Sequence, residues 1–271
     1  MHGKSLRFGK LFNRNENAII IAMDHGMFDG PIPGLVDIRK TLKNINPAVD
    51  AVLMSPGTLK HNPDAFGFKG APIPVVRLNW STVYCFHWHY NRAVTVPACS
   101  VREAVSLGAE IVLVSLTLQT GDEKVDARNV EVFCKLVEEA HQLGIPAIGE
   151  CFPTHCDTLP PDAMHEQVLS GVRILAELGA DLIKTFSTKD FAKVTESCQV
   201  PVLGLGAERK PTQIEALQLA QDEIAAGAKG VVFGRNAIQV ADPLGFQAAL
   251  CDVVKRGISP REAAAKHGLK D

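Results

Sequence analysis

Leu178-Gly179-Ala180-Asp181-Leu182-Ile183-Lys184-Thr185-Phe186 is the stretch on which the fold turns. The leucine ends a periodic segment, the glycine suits the left-handed residue that closes a helix, and the apolar run behind it suits a strand covered on both faces. The phrase recurs. Leu107-Gly108-Ala109-Glu110 precedes Ile111-Val112-Leu113-Val114, and Ala226-Gly227-Ala228-Lys229 precedes Gly230-Val231-Val232-Phe233. Leu143-Gly144-Ile145-Pro146 before Ala147-Ile148-Gly149 is a looser copy. Each is a joint from helix to strand, and the segments between joints (Ala127 to Leu143, Asp162 to Leu178, Pro211 to Ala226) space their apolar residues as amphipathic helices do.

Worked outward from these joints, the apolar runs predict strands at Ala18–Met23, Ala51–Met54, Val75–Leu78, Ile111–Ser115, Ala147–Gly149, Leu182–Lys184, Val202–Leu205 and Gly230–Phe233. Eight strands alternating with helices over about 250 residues predict an α/β fold, a single (β/α)8 barrel. A doubly wound open sheet is the alternative, but no G-x-G-x-x-G follows the first strand. The 22 glycines and 16 prolines fall singly, so no linker divides the 271 residues. One barrel domain is expected over 1–271, with 1–17 as an N-terminal extension and 256–271 as a helical tail.

Lys plus Arg number 28 and Asp plus Glu 30, a formal charge of −2 with no long run of either sign, which argues against nucleic acid as a partner. The apolar run Ala18 to Met23 falls far short of the roughly 20 residues a membrane span needs, so neither a span nor a secretory leader is expected. Seven scattered cysteines without a C-x-x-C pair suit reduced thiols, and a cytoplasmic location is expected.

In a barrel, chemistry collects where strands end and the following loops begin. The first strand ends Met23-Asp24-His25-Gly26, with Gly30-Pro31 close behind. Either Asp24 caps the next segment and His25 is a satisfied core residue, or the two face a ligand in the space the glycines leave. Lys184 is the one cation in the sixth strand, among Leu182, Ile183 and Phe186. Two roles are open to it. It is a nucleophile that desolvation brings toward neutrality, a shift of about 3 units; or it snorkels to the rim as an ion-pair or phosphate partner. The seventh and eighth strands end in Leu205-Gly206-Ala207-Glu208-Arg209 and Phe233-Gly234-Arg235-Asn236, small and basic residues that suit a phosphate. Each turn is open to a plain helix start as well as to a phosphate site, and a positive site around Lys184, Arg209 and Arg235 is expected.

The histidines and cysteines of His61, Cys85, His87-Trp88-His89 and His155-Cys156 show no zinc spacing, so no metal is expected. Tyr84, Phe86, Trp88 and Tyr90 are read as cover for a core edge or as a subunit contact.

Taken together, Asp24-His25-Gly26 with Gly30-Pro31, Ile183-Lys184-Thr185 after Gly179-Ala180, and Gly234-Arg235-Asn236 before Gln239 resemble the DhnA-type class I aldolases, within the wider DeoC/LacD-like group. The resemblance runs from about Ile19 to Val254 and covers archaeal-type fructose-bisphosphate aldolases, aminodideoxyheptulosonate synthases and the autoinducer-2 processing thiolase. It implies Lys184 as the Schiff-base lysine, Asp24 as the carboxylate assisting carbinolamine formation, Gly206, Ala207, Gly234 and Arg235 as the residues on which the substrate phosphate rests, and rings of five or ten subunits. One departure matters. Such aldolases carry a tyrosine acid/base at the end of the fifth strand, where this chain reads Gly149-Glu150-Cys151-Phe152-Pro153, and Phe152 cannot titrate. Glu150, two residues earlier on the same strand face, is the preferred proton carrier, with His25 and His155 as auxiliaries. Glu150 is equally open to a buried ion pair with Lys184 or Arg77.

The expected function is therefore a class I aldolase, an aldehyde-lyase that makes or breaks a carbon–carbon bond in a phosphorylated carbonyl substrate such as fructose 1,6-bisphosphate, with no cofactor. Three alternatives remain open: acyl transfer or transaldol chemistry on the same barrel, a pyridoxal phosphate enzyme, and a catalytically idle phosphometabolite-binding barrel.

Overall fold

A computed structural model describes residues 2–13, 16–88, 90 and 92–269. Eight parallel strands, β1 (Ala18–Ala22), β2 (Ala51–Met54), β3 (Ile73–Arg77), β4 (Ile111–Leu116), β5 (Ala147–Cys151), β6 (Leu182–Phe186), β7 (Val202–Leu205) and β8 (Gly230–Phe233), close into a barrel in sequence order, β8 pairing with β1. The recurring glycine phrases do what their chemistry requires. Gly108, Gly144, Gly179 and Gly227 all take positive φ, between 67° and 105°, and each hands a helix on to a strand.

Strand alternation builds two cores. Ile19, Ile21, Val52, Val76, Val112, Ile183 and Val231 point outward and pack with the helices. Ile20, Leu53, Val75, Leu113, Ile148, Leu182, Leu203 and Val232 fill the barrel. Leu11, from the helix His2–Leu11, joins this inner cluster, with Phe8 and Phe12 against it, so the N-terminal extension plugs the barrel floor. At the other end, two residues beyond Ile148, Leu182 and Val75 on the same face, come Glu150, Lys184 and Arg77. The inner row thus changes from apolar to charged within one step.

The interval after β3 differs from a simple joint. Asn79–Ser81 and Thr95–Pro97 pair antiparallel, and the segment between them carries two short 3-10 turns, Thr82–Tyr84 and Phe86–Trp88. This excursion brings Tyr84 back to the barrel mouth, where it packs with Phe28 and Phe152. No described helix is long and apolar enough to cross a membrane.

Candidate active site

Register sets the central contact. Glu150 of β5 lies beside Lys184 of β6 in the parallel ladder, and both side chains face the barrel mouth. Lys184 Nζ is 2.5 Å from Glu150 Oε1. Arg77, at the end of β3, reaches across to donate from Nη2 to Glu150 Oε2 and from Nε to Asp24 Oδ2, each at 2.5 Å. The Tyr84 hydroxyl donates to the same Glu150 Oε2 at 2.6 Å. All four charged side chains are buried, Lys184 being the most open at 7%. Such a cluster costs a great deal of desolvation, and only its pairing makes it tolerable.

Of the roles the sequence leaves open to Glu150, the buried ion pair is formed, with both Lys184 and Arg77, so the lysine does not sit in a purely apolar mouth. Arg77 is sheltered as well. Its guanidinium carbon lies 4.7 Å from the Tyr84 ring centre and 5.3 Å from that of Phe28, so two aromatic faces shelter the charge. Its Nη1 is buried without a protein acceptor.

Burial alone would raise both carboxyls, but the neighbouring cations outweigh it. Arg77, Lys184 and His25 hold Asp24 well below the usual carboxylate range, and Arg77 and Lys184 lower Glu150. Burial drives the His25 imidazole down to about 4, against the pull of Asp24. Burial, and then the charge of Glu150, push the Tyr84 phenol well above its ordinary 10. At neutral pH the site thus holds two carboxylates, a neutral imidazole and a protonated phenol.

These groups line one cavity of about 490 Å³. Its wall is aromatic: Phe152 lies 4.3 Å from Tyr84 and 5.0 Å from Phe186, ring centre to ring centre. The opposite side is the paired loops after β7 and β8. Asn236 Nδ2 donates to the carbonyls of Gly206 and Glu208, and Arg235 Nη2 to that of Ala207 at 3.0 Å, locking the loops together. Arg235 Nε is buried without a protein acceptor. Gly234 makes room for His25, since a Cβ there would come within 2.4 Å of His25 Cε1 and displace the ring.

The structure brings together Lys184, Asp24, Glu150, His25, Gly206, Ala207, Gly234 and Arg235 around this cavity, but not His155, which is exposed and outside the lining. Arg209 does not line it either. Tyr84, read from sequence as peripheral cover, is the residue that reasoning missed. Among the described residues no three His, Cys, Asp or Glu side chains converge as a metal centre, and His89 lies outside the described residues. The Cys151 thiol is buried and that of Cys156 half-buried, and desolvation pushes both up to about 12, which makes them poor nucleophiles at neutral pH.

Residues 18–240 match the DeoC/LacD family of aldolases. The chain belongs to that family. It is accordingly an aldolase, a lyase on a (β/α)8 barrel of the class I type. An uncharacterized aldolase of Saccharolobus solfataricus is 31% identical, with 97% of this chain and 98% of that protein aligned. The 2-amino-3,7-dideoxy-D-threo-hept-6-ulosonate synthase of Halobacterium salinarum is also 31% identical, over 98% and 97%. The solved structure of a Schiff-base-forming fructose-1,6-bisphosphate aldolase superposes with a TM-score of 0.79 at 29% identity, covering 92% of this chain and 99% of that one.

Proposed function

We propose that this aldolase works through a Schiff base on Lys184 and cleaves or forms a carbon–carbon bond in a phosphorylated ketose or keto sugar. The observation that carries this reading is the 2.5 Å contact between Lys184 Nζ and Glu150 Oε1, at the foot of a cavity whose other side holds Arg235 and the two pinned loops. Transfer of an ammonium proton to Glu150 frees the amine lone pair for the carbonyl carbon. The carbinolamine then loses water, its oxygen leaving with a proton returned by Glu150. The resulting iminium accepts the electron pair of the breaking bond as Glu150, again a carboxylate, takes the proton of the β-hydroxyl and the aldehyde fragment departs; Glu150 returns that proton to the enamine carbon, and water hydrolyses the iminium so formed and frees the lysine.

Asp24, held ionised by Arg77, supplies a fixed negative charge toward which the iminium is favoured. Tyr84 holds the Glu150 carboxylate in place by donating to it, and its own proton is too tightly bound to leave at neutral pH. The proton carrier is Glu150, because Phe152 offers none. Arg235, with its buried unpaired Nε, and the loops of Gly206, Ala207 and Gly234 receive the phosphate.

Turnover of a ketose phosphate panel by the wild-type and by Lys184→Met tests the reading. Cleavage by the first and none by the second is expected. Cleavage by Lys184→Met at more than about 1% of the wild-type rate refutes it, as does wild-type cleavage that requires coenzyme A as acceptor.

A further inference from the structure

The charges around the cavity go further and limit the phosphates a substrate carries. On the floor, Asp24 and Glu150 are matched by Arg77 and Lys184 through the contacts described above. That leaves Arg235 as the one lining cation not committed to this cluster. Against it stand three more carboxylates, Asp29, Asp157 and Glu208, at the more open part of the lining. Asp29 is half-buried with Oδ1 unpaired, and burial raises its pKa, as a carboxylate in want of a donor would show. The His25 imidazole, driven down to about 4 by burial, is neutral at pH 8 and does not restore the balance. The lining then holds three cations and five carboxylates.

We infer that the enzyme takes a sugar bearing a single phosphate, seated at Arg235, whose remaining chain offers hydroxyl groups to Asp29 and Asp157, and that it rejects a bisphosphate. This rests on Lys184 as the Schiff-base nucleophile. Size is not the barrier, since about 490 Å³ lies within the range of ordinary small-ligand sites. Charge is. A second phosphate brings close to two more negative charges, and an uncompensated anion in a partly dehydrated cleft is disfavoured strongly, less so as salt screens it.

The test is borohydride trapping on the intact enzyme at pH 8 and low salt, with fructose 1-phosphate, fructose 1,6-bisphosphate and unphosphorylated fructose in parallel, the adduct being quantified by intact mass. Fructose 1-phosphate is expected to trap at least tenfold faster than either other sugar. Asp29→Asn together with Asp157→Asn, or added salt, is expected to narrow the gap for the bisphosphate. Equal trapping of mono- and bisphosphate overturns the single-phosphate inference while the Schiff-base reading stands, and so does trapping of unphosphorylated fructose as fast as the monophosphate. Absence of any adduct with all three refutes the Schiff-base reading, and the inference with it.

Discussion

Glu150→Gln is the perturbation that probes the site most deeply, because three groups meet at that one carboxylate: Lys184 at 2.5 Å, Arg77 at 2.5 Å and the Tyr84 hydroxyl at 2.6 Å. Glutamine keeps the shape and removes the charge, leaving two buried cations facing Asp24 alone. Removing one member of a buried ion pair typically costs about 3–5 kcal/mol, since the partner stays desolvated without compensation. At roughly 2–4 °C per kcal/mol for domains of comparable size, the midpoint of thermal unfolding should fall by about 6–20 °C. Loss of a positioned acid/base should also slow Schiff-base trapping by about 10²–10⁴-fold. The two effects separate in a double-mutant cycle. Lys184→Met removes the stranded ammonium, so Glu150→Gln/Lys184→Met should be less destabilised than the sum of the single variants by about 1–3 kcal/mol. Denaturant unfolding of all four proteins measures this. Additivity within about 0.5 kcal/mol, or a Glu150→Gln loss below about 1 kcal/mol, would refute the reasoning.

Further outcomes follow from the same contacts. Tyr84→Phe removes a hydrogen bond to a charged group and should cost about 1.5–3 kcal/mol in denaturant unfolding, with slower trapping but an intact fold. Gly234→Ala forces His25 to move and should weaken inorganic phosphate binding by titration calorimetry; unchanged affinity would detach the phosphate from that loop. Asp24 and Glu150 hold their protons less tightly when folded than when unfolded, so the stability they contribute is complete above the unfolded carboxylate range and drains away as pH falls below about 4. Acid unfolding of Asp24→Asn should accordingly be shallower than wild-type. Glu223 has the opposite sign. Buried against Gly204 with both oxygens unpaired, it keeps its proton in the fold, so its contribution declines as pH rises past about 4.3, where the unfolded side chain ionises. Glu223→Gln should raise stability at pH 8 more than at pH 5, as denaturant unfolding at the two values would show.

Much of this was legible in the sequence because barrel strands repeat one physical problem. The glycine joints place β4, β5, β6 and β8, and the rule that chemistry collects at strand ends places Lys184 and Glu150 at the barrel mouth. The apolar run of β5 ends at Gly149 while the strand runs on to Cys151, because Glu150 interrupts it at the point where the inner face becomes a site. β3 begins at Ile73 rather than Val75, since Pro74 hides a strand start from propensity. Tyr84 was out of reach for a different reason. It sits on an excursion without periodicity, and only antiparallel pairing of Asn79–Ser81 with Thr95–Pro97 carries its hydroxyl back to Glu150. Arg77 appeared only as one of Glu150's open partners, and its bridge between Asp24 and Glu150 depends on closure of the barrel. The sequence puts Arg209 in a positive site with Lys184 and Arg235, yet its side chain is not part of the lining.

The central claim is that Lys184 forms the covalent intermediate while Arg235 holds the phosphate. A crystal structure after soaking with a ketose monophosphate and borohydride tests it most directly. Continuous density from Lys184 Nζ to the former carbonyl carbon, with the phosphate against Arg235 and the Gly234 loop, is the predicted result. Density joined to any other side chain, or a phosphate seated away from Arg235 with Lys184 Nζ still paired to Glu150, would contradict the account.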